Sequence, residues 1–165
     1  MHPKPAKVIR AADIHRDRAP YTQRLNPRSR LEGTELAHPG GLQRVGVSIA
    51  WLRPGSESFA FHAHMVEEEW IYALSGRAMV DIGNESVEIG PGDFIAFPAP
   101  NQPHLVRNPF EVEFSYLMGG QIGLPLDLVD YPRLGKQYLL KRDPGQRTSF
   151  HSIGNAEYPF GSADD

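Results

Sequence analysis

Two histidines and three glutamates have the types and spacing that could bind a metal ion. His62 and His64 lie two residues apart, and Glu67, Glu68 and Glu69 follow them. Side chains alternate between the two faces of a β-strand, so both imidazole rings would project from one face. Imidazole together with carboxylate suits Zn, Fe, Mn, Ni or Cu. This stretch therefore predicts a metal site where one strand ends and the next begins.

The same residues also allow a purely structural interpretation. The histidines could lie on the surface of an edge strand, and the glutamates could form a solvated acidic turn. Short motifs of this kind also occur without a function. The rest of the chain has to decide between the two interpretations.

The segments around these residues are typical of short β-strands joined by turns. Gly83-Asn84 is a two-residue hairpin signal, and no helical pattern separates the strands. The predicted strands span residues 44–52, 58–64, 69–74, 77–82, 85–89, 94–97, 104–107 and 111–118. Regularly spaced strands without intervening helices predict an all-β protein, either an antiparallel barrel or a two-sheet jelly roll.

Composition agrees with a single turn-rich β domain. The chain has 165 residues, with 16 glycines and 15 prolines. It has no cysteine, which excludes disulfides, thiolate metal sites and a cysteine nucleophile. The N-terminus lacks an apolar signal segment, and no stretch is long and apolar enough to span a membrane. We therefore expect a soluble, cytoplasmic protein with no membrane partner.

Charge is distributed unevenly along the chain. Residues 1–30 carry eight Lys and Arg against two Asp, a net charge of +6, and the remainder carries −9. We do not expect nucleic-acid binding, because no helix-turn-helix pattern, zinc finger or aromatic ladder accompanies the basic residues. The basic arm is expected to pack on its own acidic body or on a partner subunit.

A second motif contains a further histidine, and with it the chain resembles the single-domain cupins. The first cupin motif is matched by Gly55, His62, His64, Glu69 and Gly76. The second cupin motif is matched by Gly92, Pro98, His104 and Asn108. The two motifs and the strands between them cover about residues 44–118.

The chain departs from the cupin pattern at three places. Six residues rather than five separate Gly55 from His62, and Pro100 stands where the family usually has glycine. The loop from Pro98 to His104 is one residue longer than the family pattern. Because that loop sets the height of His104 in the barrel, the departures bear most on the fourth ligand.

The resemblance implies a double-stranded β-helix, the jelly-roll barrel of the cupins. We divide the chain into an extended N-terminal arm over 1–40, a cupin barrel over 41–141 and an irregular C-terminal tail over 142–165. Cupin barrels commonly pair through an edge sheet, so we expect a homodimer in which residues 1–30 lie across the partner. If the protein lacking residues 1–30 still had the mass of a dimer in solution, the expectation that these residues hold the dimer together would be wrong.

The resemblance also implies a ligand set for one divalent metal ion, Fe, Mn, Ni or Zn: His62, His64, Glu69 and His104. Glu69 is favoured because its spacing to Gly76 fits the motif and it shares strand parity with Ile71 and Ala73. Glu68 remains an alternative, since a family variant has three intervening residues. Glu67 is expected at the rim of the site.

Strand parity indicates which other residues would face the site. Ser58 and Ala60 would point inward with the histidine pair, and Phe59 and Phe61 would point to the opposite face. Four aromatic residues could line the barrel, although we expect each to fill the core: Trp51, Phe97, Phe110 and Tyr116. We expect Asn108 to support a turn or the ligands. No general base can be assigned, so the catalytic residues stay unknown.

Three functional hypotheses follow from this site. The first is a metal-dependent enzyme acting on a small polar or aromatic acid, with dioxygenase-like cleavage first and isomerase or decarboxylase chemistry next. The second is a non-catalytic module that binds or senses a small molecule. The third is a metal-free β-sandwich whose histidines are incidental.

Overall fold

The computed structural model describes residues 5–21, 23–142 and 149–153, and this part of the chain is mainly antiparallel β-structure. Helical structure within these ranges is limited to the helix α1, Ala11–Arg16, and one 3-10 turn, Pro132–Leu134. No helix in the described ranges is long and apolar enough to cross a membrane.

Thirteen strands form three sheets within the described residues. In chain order the strands are β1 Ala19–Pro20, β2 Leu31–Glu35, β3 Val45–Leu52, β4 Ala63–His64, β5 Glu69–Ser75, β6 Ala78–Ile82, β7 Glu85–Ile89, β8 Phe94–Phe97, β9 His104–Arg107, β10 Phe114–Gln121, β11 Leu126–Tyr131, β12 Lys136–Lys141 and β13 Ser149–Ile153. The sheets have the orders β1-β2-β3-β10-β5-β8, β13-β12-β11-β4 and β7-β6-β9. The predicted all-β jelly-roll architecture is confirmed.

The main core lies between the six-stranded and three-stranded sheets. In β10, Phe114 and Tyr116 are buried and pair in register with Leu52 and Ala50 of β3. Alternate residues of β6 and β9, such as Val80 and Val106, reach the same cluster. These apolar contacts hold the two sheets together.

Gly76 allows the chain to leave β5 and turn toward β6. Its φ of +73° lies in the left-handed region. A Cβ atom at this position would stand 2.3 Å from the carbonyl oxygen of Glu113. Only glycine satisfies both constraints, which explains why glycine ends this strand.

The strand predicted over 58–64 is wrong for most of its length, because only Ala63–His64 is a strand. The Ser58 N–H still donates to the Val106 carbonyl of β9 at 2.8 Å, but side chains satisfy the backbone of the next two residues. The Ala60 N–H donates to Gln23 Oε1 at 2.6 Å, and the Phe59 carbonyl accepts from Asn26 Nδ2 at 3.0 Å. The backbones of His62 and His104 exchange two hydrogen bonds in an isolated bridge, and the next two residues, Ala63–His64, pair instead with β11.

Part of the basic N-terminal region pairs with acidic residues of the same chain. Arg18 Nη2 lies 2.6 Å from Glu113 Oε2, and Arg28 Nη2 lies 2.6 Å from Glu57 Oε1. Arg18 also contacts Glu32. Since β1 and β2 belong to the six-stranded sheet, this part of the predicted arm contributes to the fold of its own barrel.

The boundaries of arm, barrel and tail at residues 40 and 141 stay a prediction. In the segment predicted as an irregular tail, residues 149–153 form β13, which pairs with β12. Residues 143–148 and 154–165 lie outside the described residues.

Candidate metal centre

Each of the three sheets supplies one residue to a cluster of polar side chains inside the barrel. His64 ends β4, Glu69 begins β5 and His104 begins β9. His62 immediately precedes β4 and its backbone bridges to His104. The three histidines are buried and Glu69 is half-buried. The structure therefore brings together all four residues of the predicted ligand set.

The imidazole nitrogens converge on the carboxylate of Glu69. His104 Nε2 lies 3.3 Å from Glu69 Oε2, and His62 Nε2 lies 3.9 Å from the same oxygen. His64 Nε2 lies 3.7 Å from Glu69 Oε1. The ring centroid of His62 lies 5.2 Å from that of His64 and 4.8 Å from that of His104. Four side chains therefore border one small volume.

The opposite nitrogen of each imidazole ring is already engaged. Nδ1 of His62 lies 2.8 Å from the Ala60 carbonyl oxygen, and Nδ1 of His104 lies 3.1 Å from that of Gln102. Since a carbonyl oxygen can only accept, both Nδ1 atoms donate, and the neutral rings keep a lone pair on Nε2. Such an arrangement presents Nε2 to a metal ion.

One oxygen of Glu69 is buried without a hydrogen-bond donor. Among the described residues, Glu69 Oε2 is the buried side-chain atom with no hydrogen-bond partner. His104 Nε2 is close, but a neutral His104 whose proton is on Nδ1 has no hydrogen to donate there. Burial raises the pKa of Glu69, and the neighbouring histidines outweigh burial and lower it to about 2. The carboxylate is therefore ionised and available to a cation.

The histidines themselves differ in proton affinity. Burial, assisted by His104 and His64, lowers the pKa of His62 to about 4 despite the nearby Glu69. Burial also lowers the pKa of His64, but the hydrogen bond to Asp127 and the charges of Glu69 and Asp127 outweigh it and raise this pKa. His62 is thus held as a neutral imidazole, the form that binds metal ions.

The structure distinguishes the three glutamates. Glu69 faces the histidines, whereas Glu68 is exposed to solvent. The placement of Glu67 at the rim is wrong, since its side chain is buried and forms two hydrogen bonds with Arg142. That prediction took Glu67 as a charge at the mouth of the site, and its partner Arg142 lies 75 residues further along the chain.

A cavity of about 400 Å³ adjoins the cluster. Of the four aromatic candidates, Phe97 and Tyr116 line it, and the Phe97 ring stacks on His104 with 3.7 Å between ring centroids. Trp51 instead packs against His15 and Arg18, and Phe110 packs against Arg77. Phe59, predicted to face away, lines the cavity and contacts His62 edge-on.

Asn108 supports a turn, as predicted. It is almost completely buried, and its amide donates to the carbonyl oxygens of Leu52 and Val112 at 2.9 and 2.8 Å. Its side-chain oxygen accepts from the backbone N–H of Phe110.

Two polar residues at the site escaped the sequence analysis. Asp127 Oδ2 lies 2.5 Å from His64 Nδ1, and Asn101 Oδ1 accepts from the backbone N–H of His64 at 2.6 Å. A signal for Asp127 was present, because it shares strand parity with Val129 and Tyr131, both buried in β11. No comparable signal marks Asn101, which lies in a loop.

Comparisons with known proteins agree with this architecture. The family model described as the cupin domain matches residues 49–120. The crystal structure of a provisionally named sugar phosphate isomerase from Acidithiobacillus ferrooxidans is 31% identical, with a TM-score of 0.78. The match covers 91% of this chain and 93% of that one.

Two further relatives give fold and sequence similarity. The structure of a cupin-superfamily sugar phosphate isomerase from Silicibacter pomeroyi matches with a TM-score of 0.70 at 24% identity. The match covers 82% of this chain and 85% of that one, and at this identity it supports the fold alone. An uncharacterised protein of Methanocaldococcus jannaschii is 36% identical over 75 residues, which are 45% of this chain. The match spans 59% of that relative's length.

The low pKa of His62 predicts how the metal-free protein responds to acid. Between its folded pKa of about 4 and its ordinary value of 6.5, the unfolded chain binds a proton that the folded chain does not. His62 therefore makes the free energy of unfolding fall as pH falls from 6.5 to 4. His64, with its raised pKa, acts in the opposite sense: its stabilisation is complete below 6.5 and is lost as pH rises through the raised value.

We expect His62→Gln to reduce the acid-induced loss of stability through that interval, measured by denaturant unfolding of chelator-treated protein. The exposed loop residue His38 gives the matched control, and His38→Gln should keep the wild-type dependence. An unchanged pH dependence in His62→Gln would contradict a buried neutral imidazole.

Proposed function

This chain belongs to the cupin family, and we propose that it is an enzyme that uses one divalent metal ion held by His62, His64, Glu69 and His104. The observation that carries the proposal is the convergence of the three Nε2 atoms on Glu69, whose buried Oε2 lacks a donor. A cation at this place would satisfy that oxygen and use the lone pairs of all three rings.

The donor set fits a first-row divalent ion. Three imidazoles and a carboxylate suit Fe, Mn, Ni or Zn, and the chain offers no thiolate that would favour other chemistry. When bound, such an ion polarises a substrate oxygen or lowers the pKa of a bound water. The remaining work of recognition falls to the side chains around the cavity.

The cavity suits a small polar substrate. Its volume of about 400 Å³ lies toward the lower end of small-molecule sites, which range over roughly 300–1,000 Å³. Hydrogen-bonding groups occur around its wall: Gln23, Ser48, Ser58, Gln121 and Tyr131. Such groups match the hydroxyls of a sugar better than an unbroken apolar surface would.

A cationic side chain lies at the same cavity. Arg142 is the cationic residue among the described residues that line the cavity, which include no lysine and no second arginine. Its guanidinium pairs with Glu67, and it can share its positive charge with a phosphate or carboxylate that enters. Together with the name of the Acidithiobacillus relative, this favours isomerisation of a small phosphorylated sugar.

Oxidative cleavage of an aromatic or keto acid is the second candidate. The observation that favours it is the aromatic part of the cavity wall, where Tyr21, Phe59 and Trp70 accompany Phe97. Flat apolar side chains can contact an aromatic ring while the metal-binding end holds its oxygens. This candidate shares the ligand set of the first and differs in substrate and in its need for dioxygen.

Turnover assays separate the candidates. Full-length protein loaded separately with Fe(II), Mn(II), Ni(II) or Zn(II) is incubated with aldose and ketose phosphates, and isomers are followed by ³¹P and ¹³C NMR. We expect isomerisation that stops on chelation, falls to the metal-free level in His62→Ala and persists in His38→Ala. Oxygen uptake with catecholic or keto acids instead would establish the second candidate.

Thermal unfolding supplies the remaining outcome. If these compounds stabilise the protein but none of them is turned over, the proposal that the protein is an enzyme would be contradicted, and a binding module would be indicated. A ligand at 100 times its Kd adds about 2.7 kcal/mol to the free energy of unfolding, which is readily detected.

A further inference from the structure

A second buried cluster surrounds the far side of the His64 ring. It consists of Asp127 on β11, Glu67 between β4 and β5, and Arg142 just after β12. Asp127 and Arg142 lie outside residues 49–120, the segment matched by the cupin family model. The cluster is therefore built largely by the C-terminal sheet.

Asp127 is fixed by the backbone on both sides of it. Its Oδ1 accepts from the backbone N–H groups of Val66 and Leu128 at 2.9 and 2.8 Å, and its Oδ2 faces His64 Nδ1 at 2.5 Å. The side chain is completely buried. These hydrogen bonds fix the rotamer of the Asp127 carboxylate, and the carboxylate in turn orients the imidazole ring of His64.

The hydrogen bonds of this cluster support His64 and leave no second cation site. The donor atoms of His64, Glu67 and Asp127 lie within 4.8 Å of one another, as they would around a metal ion. Both oxygens of Asp127 are engaged, and both oxygens of Glu67 accept hydrogen bonds from Arg142. The arginine already balances the charge of Glu67, which leaves no unsatisfied oxygen in the cluster for a cation.

We propose that Asp127 is a positioning residue that holds the proton of His64 on Nδ1 and directs the Nε2 atom of His64 at the metal site. This proposal rests on the proposed metal-binding function. A carboxylate accepts only, so the neutral ring must donate from Nδ1. His62 and His104 are held by neutral carbonyl oxygens, whereas His64 is held by a charge. Hydrogen bonding to a carboxylate makes an imidazole a more basic metal ligand.

The backbone of His64 is held by the same strand. Val129 of β11 pairs with His64, and the backbone N–H of Met65 donates to the Leu128 carbonyl at 3.0 Å. Strand β11 therefore fixes both the main chain and the ring of this ligand. Affinity for the metal should depend on a residue that does not touch it.

The test compares Asp127→Asn with Asp130→Asn in the full-length protein. Asp130 lies three residues further along the same strand, and within the described part of the chain its side chain forms no hydrogen bond or ion pair. We expect Asp127→Asn to weaken Zn(II) binding about 10–100-fold in chelator competition, a typical loss for a hydrogen-bond partner of a ligand. Asp130→Asn should bind as wild type, and equal affinity of both variants would overturn the proposal.

A double-mutant cycle separates an effect through His64 from general damage. In a His64→Gln background, Asp127→Asn should cause little further loss of Zn(II) affinity, because its route of action is already gone. A further loss as large as that in the wild-type background would show that Asp127 acts elsewhere.

Histidine ¹⁵N NMR of the metal-free wild type needs no variant to fold. At alkaline pH, where imidazole is neutral, the His64 proton is expected on Nδ1. A proton on Nε2 would overturn the proposal. Wild-type protein that binds no Zn(II) would refute the metal-binding function, while the ¹⁵N spectrum would still decide the role of Asp127.

Discussion

A carboxylate oxygen buried among imidazole nitrogens is the interaction on which the rest of this structure depends. Glu69 Oε2 has lost contact with water and has no donor in exchange. A buried, uncompensated charge is strongly unfavourable, and the protein must supply a compensating positive charge. That charge can be an imidazolium or a metal ion, and burial works against the first choice at His62, whose pKa is lowered to about 4.

The hydrogen bonds behind the rings decide where the lone pairs point. Carbonyl oxygens hold His62 and His104, and a carboxylate holds His64. All three rings are thereby turned so that Nε2 faces Glu69. Because the ligands come from three different sheets, this convergence requires the barrel to be assembled. In the proposed function, the energy of packing the apolar core thus keeps the site preorganised for an ion.

The sequence predicted most reliably what regular strands determine. Alternation of apolar residues located β3, β5, β6 and β10, and parity within β5 distinguished Glu69 from Glu68. Spacing of the two cupin motifs brought His104 to the same site from 40 residues away. These features depend on local periodicity and on recognised motifs, both of which can be read without coordinates.

Contacts that depend on irregular backbone or on distant segments could not be predicted. Parity failed at Phe59, which lines the cavity, where side chains of Gln23 and Asn26 satisfy the backbone of residues 59 and 60. The rim placement of Glu67 failed for a different reason, because its partner Arg142 is 75 residues away in the sequence. Asp127 is 63 residues from His64, and only the pairing of β11 with β4 makes them neighbours.

The central claim is that these four side chains bind one metal ion, and elemental analysis of untagged protein tests it most directly. After reconstitution with a single divalent metal and removal of excess, the wild type and His38→Ala should each retain close to one equivalent. His62→Ala should retain little or none. Equal retention by all three proteins, or no retention by the wild type, would contradict the assignment of the site.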